Sequence, residues 1–210
     1  SALNSFAFTN VTLIGDYAFS ETGLESIILP NATEFGEKVF YNSTAVKSIE
    51  MPVATTFDTL DFAGLPNVEN LILPRVTEFA FNGGSFAEVF PKIKTLDNQN
   101  GVEELPDGFL EGCSQFESGT FRYYLYVIGA NAFKGTALKE AVFDEAHTFG
   151  ENCFADIPTL EKVEMRRFGS DDSLSIFFGS ENINSIYLSG LTVLPDNFKC
   201  IEQFPQMLGI

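Results

Sequence analysis

The sequence predicts an α/β-type repeat solenoid: a right-handed stack of about nine units, with a parallel β-sheet on one face and short helical or 3₁₀ turns on the other. Three observations predict it. The segment "IGDYAFSETGLESIILPNATEF" (14–35) returns in pattern as "IGANAFKGTALKEAVFDEAHTF" (128–149). An apolar frame recurs along the chain every 21 to 25 residues. A phenylalanine recurs with it, once per unit.

The frame is Leu24, Ile27 and Leu29, followed by Ala32 and Phe35. It recurs as Leu3-Phe6-Phe8, Val46-Ile49-Met51, Val68-Leu71-Leu73, Leu138-Ala141-Phe143, Leu160-Val163-Met165 and Ile183-Ile186-Leu188, with weaker copies starting at Ile93 and Phe116. A sustained period of this length is the signature of a leucine-rich solenoid. Residues 27 and 29 point inward while 26, 28 and 30 point out, the alternation of a pleated strand. Strands stacked in one direction make a parallel sheet, and Pro30, Pro52 and Pro74 end the pairing by removing a donor. The return segment "GDYAFSETG" is too brief for a long helix and reads as a helical or 3₁₀ turn.

The aromatic column is Phe19, Phe40, Phe62, Phe86, Phe109, Phe133, Phe154, Phe178 and Phe198. An apolar residue precedes it in each unit (Ile14, Phe35, Phe57, Phe79, Leu105, Ile128, Phe149, Leu174, Leu194), often followed by glycine, as at Gly15, Gly36, Gly129 and Gly150. One unit of about 22 residues cannot enclose its own apolar face, whereas stacking sets like on like and closes a continuous core. The reading is therefore one solenoid domain over 1–210, in units of 21–25 residues.

Composition bounds the function. The chain is 45% hydrophobic with 23 Phe and no Trp, which belongs to an ordered protein. A net charge of −17, from 12 Lys+Arg against 29 Asp+Glu, supplies no basic stripe for nucleic acid or an anionic membrane. No apolar run approaches the roughly 18 to 20 residues of a membrane helix, and no signal-peptide pattern is read. Cys113, Cys153 and Cys200 have neither disulfide-framework nor zinc spacing. The N-x-[ST] sequons at Asn10, Asn31 and Asn42 are about what chance gives.

At "IGDYAF…GLESIILPNATEFG", "IGANAFKGTALKEAVF" and "FGENCFADIPTLEKVEM" the chain resembles the BspA-like leucine-rich repeats, which carry I-G-x-x-A-F followed by a leucine frame and a proline. The resemblance covers residues 3 to about 200. Like that subclass, the chain replaces the usual asparagine ladder after the strand with small apolar residues, here Val11, Ala32, Ala54, Val76 and Ala146. The resemblance implies a secreted or cell-surface protein of bacteria or mucosa-dwelling protozoa, and an adhesin-like binder of host or matrix proteins. The family's motif residues are structural, so no catalytic role carries over.

Three stretches break the pattern. In 79–101 the polar Asn98 stands where an inward apolar residue belongs; "FESGTFRYYLYVIG" puts Gly119 inward and crowds Tyr123, Tyr124 and Tyr126; "GSDDSLSIFFG" inserts residues before the eighth aromatic. The single histidine, His147, excludes a two-histidine metal pair, and a dyad with a cysteine is disfavoured because Cys153 takes the small-residue place of Ala18 and Ala132. Asp171-Asp172 and Glu103-Glu104 lack the spacing of a calcium loop. No metal, cofactor or catalytic residue is expected.

The outward strand positions are the candidate site. Early units show Ser5 and Ala7, Ser26 and Ile28, Ser48 and Glu50, Asn70 and Ile72 there; later ones show Arg122, Glu140, Val142, Asp144, Lys162, Glu164, Arg166 and Tyr187. Stacked in register, Arg122, Glu140, Asp144, Lys162, Glu164, Arg166 and Tyr187 would form one mixed-charge patch with an aromatic edge, suited to a protein partner. A glycan is the second candidate ligand. The functional expectation is a non-enzymatic extracellular binding module. The alternative is a structural spacer or assembly element without a specific ligand, in keeping with termini that stop mid-pattern.

Overall fold

The computed structural model describes residues 8–99, 101–121, 124–169 and 173–190. They belong to two compact units, Ser1–Val102 with Gly119–Phe121, and Glu103–Ser118 with Arg122–Ile210. Each is a parallel β-solenoid. In the first, Ser26–Ile28, Ser48–Glu50, Asn70–Ile72 and Thr95–Asn98 pair in sequence order, and Gly119–Phe121 lies beside the last of them. In the second, Glu140–Phe143, Lys162–Met165 and Ser185–Leu188 do the same.

The register is set by like residues. Ile27, Ile49, Leu71 and Leu96 are mutual partners across the first sheet and all are buried. The leading frame positions Leu24, Val46, Val68, Ile93, Phe116, Leu138, Leu160 and Ile183 are buried as well. A one-residue slip would turn this set to solvent, so the frame fixes the pairing. A second short ladder runs through the apolar residue ahead of each aromatic. It pairs Leu13–Ile14 with Glu34–Phe35 and Thr56–Asp58 with Glu78–Ala80 in unit 1, and Glu104–Leu105, Val127–Ile128 and Thr148–Phe149 in unit 2.

The return segments are only partly helical. Phe86–Val89 is an α-turn whose Ser85 and Glu88 form a capping box, and Leu174–Phe177 is a 3₁₀ turn capped by Ser173. Five other return segments are turns built around left-handed residues four apart: Tyr17 and Glu21, Lys38 and Asn42, Gly108 and Gly112, Asn131 and Gly135, Asn152 and Asp156; the turn at 59–64 has only Gly64 in that conformation. These turns pair with the next coil through alternate backbone donors. Tyr17, Phe19 and Glu21 N–H donate to the Glu37, Val39 and Tyr41 carbonyls, and Asn131, Phe133 and Gly135 repeat this onto Glu151, Cys153 and Ala155. A helix would spend those donors internally. The left-handed turns free them for the neighbouring coil, so the return side is a third inter-coil ladder.

The glycines mark the closest approach. A Cβ at Gly129 would stand 2.6 Å from Asp107 N, and at Gly150 2.5 Å from Gly129 C, because each coil's backbone crosses directly over the one before. Asn98 is buried and satisfied: its Nδ2 donates to Leu73 O at 2.8 Å and Val76 O at 2.9 Å, and its Oδ1 accepts from Val102 N–H at 3.1 Å. It is a local clamp on the turn after the strand.

The aromatic column is formed with one correction. Phe40, Phe62, Phe86, Phe109, Phe133 and Phe154 are fully buried. Ring centroids lie 5.5 Å apart for Phe19–Phe40 and Phe40–Phe62, and 5.3 Å for Phe133–Phe154. Phe178 is not a member: it is 72% exposed, and Phe177 takes its place at 5.8 Å from Phe154. The 3₁₀ turn absorbs part of the preceding insertion and brings the first of the two phenylalanines inward. Phe198 lies outside the described residues.

Phe154 is stacked on both sides, so Phe154→Ala is expected to lower the unfolding free energy by about 3–5 kcal/mol. Phe178→Ser is expected to change it by less than about 0.5 kcal/mol. Urea titrations of the two variants check the assignment, and a larger loss from Phe178→Ser would reverse it.

Candidate functional site

The outer face of the second sheet is built by the alternation of its strands. Ala141, Phe143, Val163 and Met165 turn in and are buried, which sends Glu140, Val142, Lys162 and Glu164 out. Register then sorts them into columns. Glu140, Lys162 and Ser185 are partners in one, and Val142, Glu164 and Tyr187 in the next. Asp144 and Arg166 follow at the strand ends. Arg122 lies outside the described residues, so six of the seven expected site residues are placed, all around one sheet of unit 2.

The charges on this face are already engaged with one another. Lys162 Nζ is 3.5 Å from Glu140 and 3.9 Å from Glu164, and Arg166 is 3.2 Å from Asp144 and 3.6 Å from Glu164. Glu145 and Arg167 form a further pair at 2.8 Å, which the sequence reading did not single out. Its signal was present: in each inter-coil pair the acid precedes the base by one unit, as also in Glu25–Lys47 and Glu69–Lys94 of unit 1. Such exposed pairs contribute only ~0–1 kcal/mol each. What stands free of them is apolar: Val142 is 42% exposed and Tyr187 57%.

The remaining candidates sort quickly. His147 is exposed, with Nδ1 3.2 Å from Thr148 Oγ1 and its ring stacked on Tyr126 at 5.8 Å. Cys113 and Cys153 are buried, and burial pushes the Cys113 thiol up to about 12, which keeps it protonated and unreactive. Cys200 and the Asp171-Asp172 pair lie outside the described residues. Among the described residues no three metal-ligating side chains converge, and no helix is long and apolar enough to cross a membrane. A polar concavity of about 240 Å³ lined by Pro158, Glu161, Asn182 and Asn184 is smaller and more polar than small-molecule sites of roughly 300–1,000 Å³.

The electrostatic outlier lies on the return turns of unit 1. Half-buried Asp61 has its carboxyl raised to about 6, chiefly by burial and then by the neighbouring Asp58 and Glu37 charges. On the sheet side of the same unit, the hydrogen-bonded Lys94 ammonium holds the Glu69 carboxylate below its ordinary range. One surface concentrates negative charge, and the other neutralises it.

The coil-by-coil register and the aromatic column agree with the comparisons. A family model described as BspA type leucine rich repeat region matches in six copies, over residues 1–88, 36–161 and 80–199. The chain belongs to this family. Among solved structures, a leucine rich cell surface protein from Faecalibacterium prausnitzii is similar at 22% identity and a TM-score of 0.51, over 79% of this chain and 48% of that one. The chain thus spans about half of that relative's length. The pneumococcal vaccine antigen PcpA is similar at 19% identity and a TM-score of 0.34, over 86% of this chain and 58% of that one. No curated protein matches in sequence.

Asp61 supplies a test of the acidic turns. The folded chain holds this proton more tightly than the unfolded one, so its contribution is most favourable below the ordinary carboxyl value of 3.8 and is lost as pH rises toward 6. At a half-exposed carboxyl, solvent screening holds the effect to on the order of 1 kcal/mol. Asp61→Asn is therefore expected to raise stability by about 1 kcal/mol at neutral pH and by much less at pH near 4. Denaturant unfolding at the two pH values measures this; equal gains would show that charge is not the cause.

Proposed function

We propose that this chain is a non-enzymatic recognition module of a cell-surface protein, and that it binds a protein partner through the outer face of the sheet containing Glu140–Phe143, Lys162–Met165 and Ser185–Leu188. The observation that carries the reading is the exposure of Val142 and Tyr187 on either side of Glu164 in one column. A tyrosine held rigidly on a strand offers contact area at little entropic cost, and such residues anchor protein interfaces. The bridged charges around it supply a polar rim. Family membership supports a surface setting, as does the cell-surface description of the F. prausnitzii protein. Host or matrix proteins are the partner class, with a glycan second.

A structural spacer is the second reading, and the inter-coil ion pairs favour it. Lys162 and Arg166 are consumed by neighbours of their own sheet, which leaves less charge for a ligand.

Binding to a panel of immobilised extracellular-matrix proteins separates the two. The Arg122→Ala/Arg166→Ala/Tyr187→Ala variant is expected to lose at least ~tenfold in affinity for the bound protein while unfolding at nearly the wild-type midpoint. Equal binding by variant and wild type would remove the assigned face, and no binding by either would leave the spacer.

A further inference from the structure

Unit 1 carries a surface feature independent of that sheet. Tyr17 and Tyr41 project from adjacent return turns, 48% and 39% exposed, with rings edge to face at 6.3 Å and 77°. Lys38 Nζ sits 5.8 Å from the Tyr41 ring centre. The turns are held by backbone bonds from Tyr17 N–H to Glu37 O, from Tyr41 N–H to Lys38 O and from Glu21 N–H to Tyr41 O. The two rings are therefore presented on a fixed frame.

Packing does not explain Tyr17. Its φ is 54°, a left-handed conformation that a bulky side chain rarely adopts, and the equivalent places in unit 2 hold Gly108, Asn131 and Asn152, which adopt it readily. A tyrosine here accepts backbone strain while leaving half its ring in solvent.

The surroundings define what could cover it. Asp16, Glu21 and Glu37 are exposed in the same turns as the two tyrosines, and the Asp16 carboxylate accepts from Glu37 N–H at 2.9 Å. Asp58 and Asp61 follow in the next coil, where burial first, and then the Asp58 and Glu37 charges, raise the Asp61 carboxyl. Lys38 stands against this group. A tyrosine face attracts cations, a guanidinium stacks flat on it, and neighbouring carboxylates pair with the same group in bidentate fashion. An anionic polymer is repelled, and a neutral sugar ring gains nothing from the charge.

We propose that Tyr17 and Tyr41, ringed by Asp16, Glu21 and Glu37, form a second docking surface, for an arginine-bearing segment of a partner protein. A hexa-arginine peptide is the probe. Because the chain has 6 Tyr and no Trp, tyrosine emission reports its binding directly. At low ionic strength the peptide is expected to bind saturably, and Tyr17→Asn/Tyr41→Ser to weaken it at least ~tenfold, while Tyr124→Ser, at an exposed tyrosine of unit 2, leaves it unchanged. In the wild type, the NMR ring signals of Tyr17 and Tyr41 are expected to shift ahead of the other tyrosines, a reading that does not depend on the variants folding. Equal affinity of the double variant, uniform movement of all tyrosine signals, or no binding would each overturn the proposal. Displacement of the peptide by a neutral oligosaccharide would reassign the surface to glycan.

Discussion

The fold depends on one constraint: each side chain must be able to lie against its own copy from the next coil. Backbone ladders on the strands, ahead of the aromatics and along several return turns fix the translation, and everything else inherits it. Phenylalanine satisfies the constraint well, because flat rings stack at 5.3–5.8 Å. Glycine satisfies it where backbone crosses backbone, and the β-carbon it lacks would collide there. Burial of each aromatic contributes about 1.5–3 kcal/mol, but only when its neighbours above and below are in place.

The same constraint governs charge. Identical charges stacked at strand spacing would repel, so a column of charge must alternate. Unit 1 does this on its sheet side, where Glu25, Lys47, Glu69 and Lys94 precede successive strands and pair as Glu25–Lys47 and Glu69–Lys94. With 29 acidic residues against 12 basic ones, this use of lysine leaves other surfaces acidic. The return turns of unit 1 carry that excess, and the Asp58 and Glu37 charges add to burial in raising the Asp61 carboxyl. Sheet face and return side therefore differ in what they can attract, although both are built from the same units.

This also explains which features could be read from the sequence. The frame and the aromatic column were legible because they repeat at one period and are apolar, and every described leading position is buried. Phe178 was misassigned because two adjacent phenylalanines fit the spacing equally well; the choice of Phe177 was made by a 3₁₀ turn that periodicity does not encode. The return turns were expected to be short helical or 3₁₀ turns because they are too brief for a long helix. Their left-handed residues include Tyr17, Lys38 and Glu21, which carry no turn signature, so the backbone ladder that selects the conformation was invisible one coil at a time. Asn98 was recognised as polar in an apolar place, but its partners in the preceding coil appear only in three dimensions. The outward columns were legible as columns, whereas their mutual neutralisation was not, because it depends on which carboxylate each cation reaches.

The same stacking decides which side chains can meet. A catalytic group needs unlike residues to converge within hydrogen-bond reach in a site that excludes water. Here a side chain's nearest neighbours are the occupants of its own column, and unlike groups meet mainly at exposed positions. The buried polar side chains of this type, Ser43 and Ser180, spend their hydroxyls on the backbone of an adjacent coil, at Phe19 O and Phe154 O, and so tie coils together. What the arrangement offers instead is a row of side chains at fixed spacing, each contributing little and all held rigid. The columns leave Tyr17, Tyr41 and Tyr187 exposed, and the recognition proposed for this chain rests on such uncovered aromatic residues.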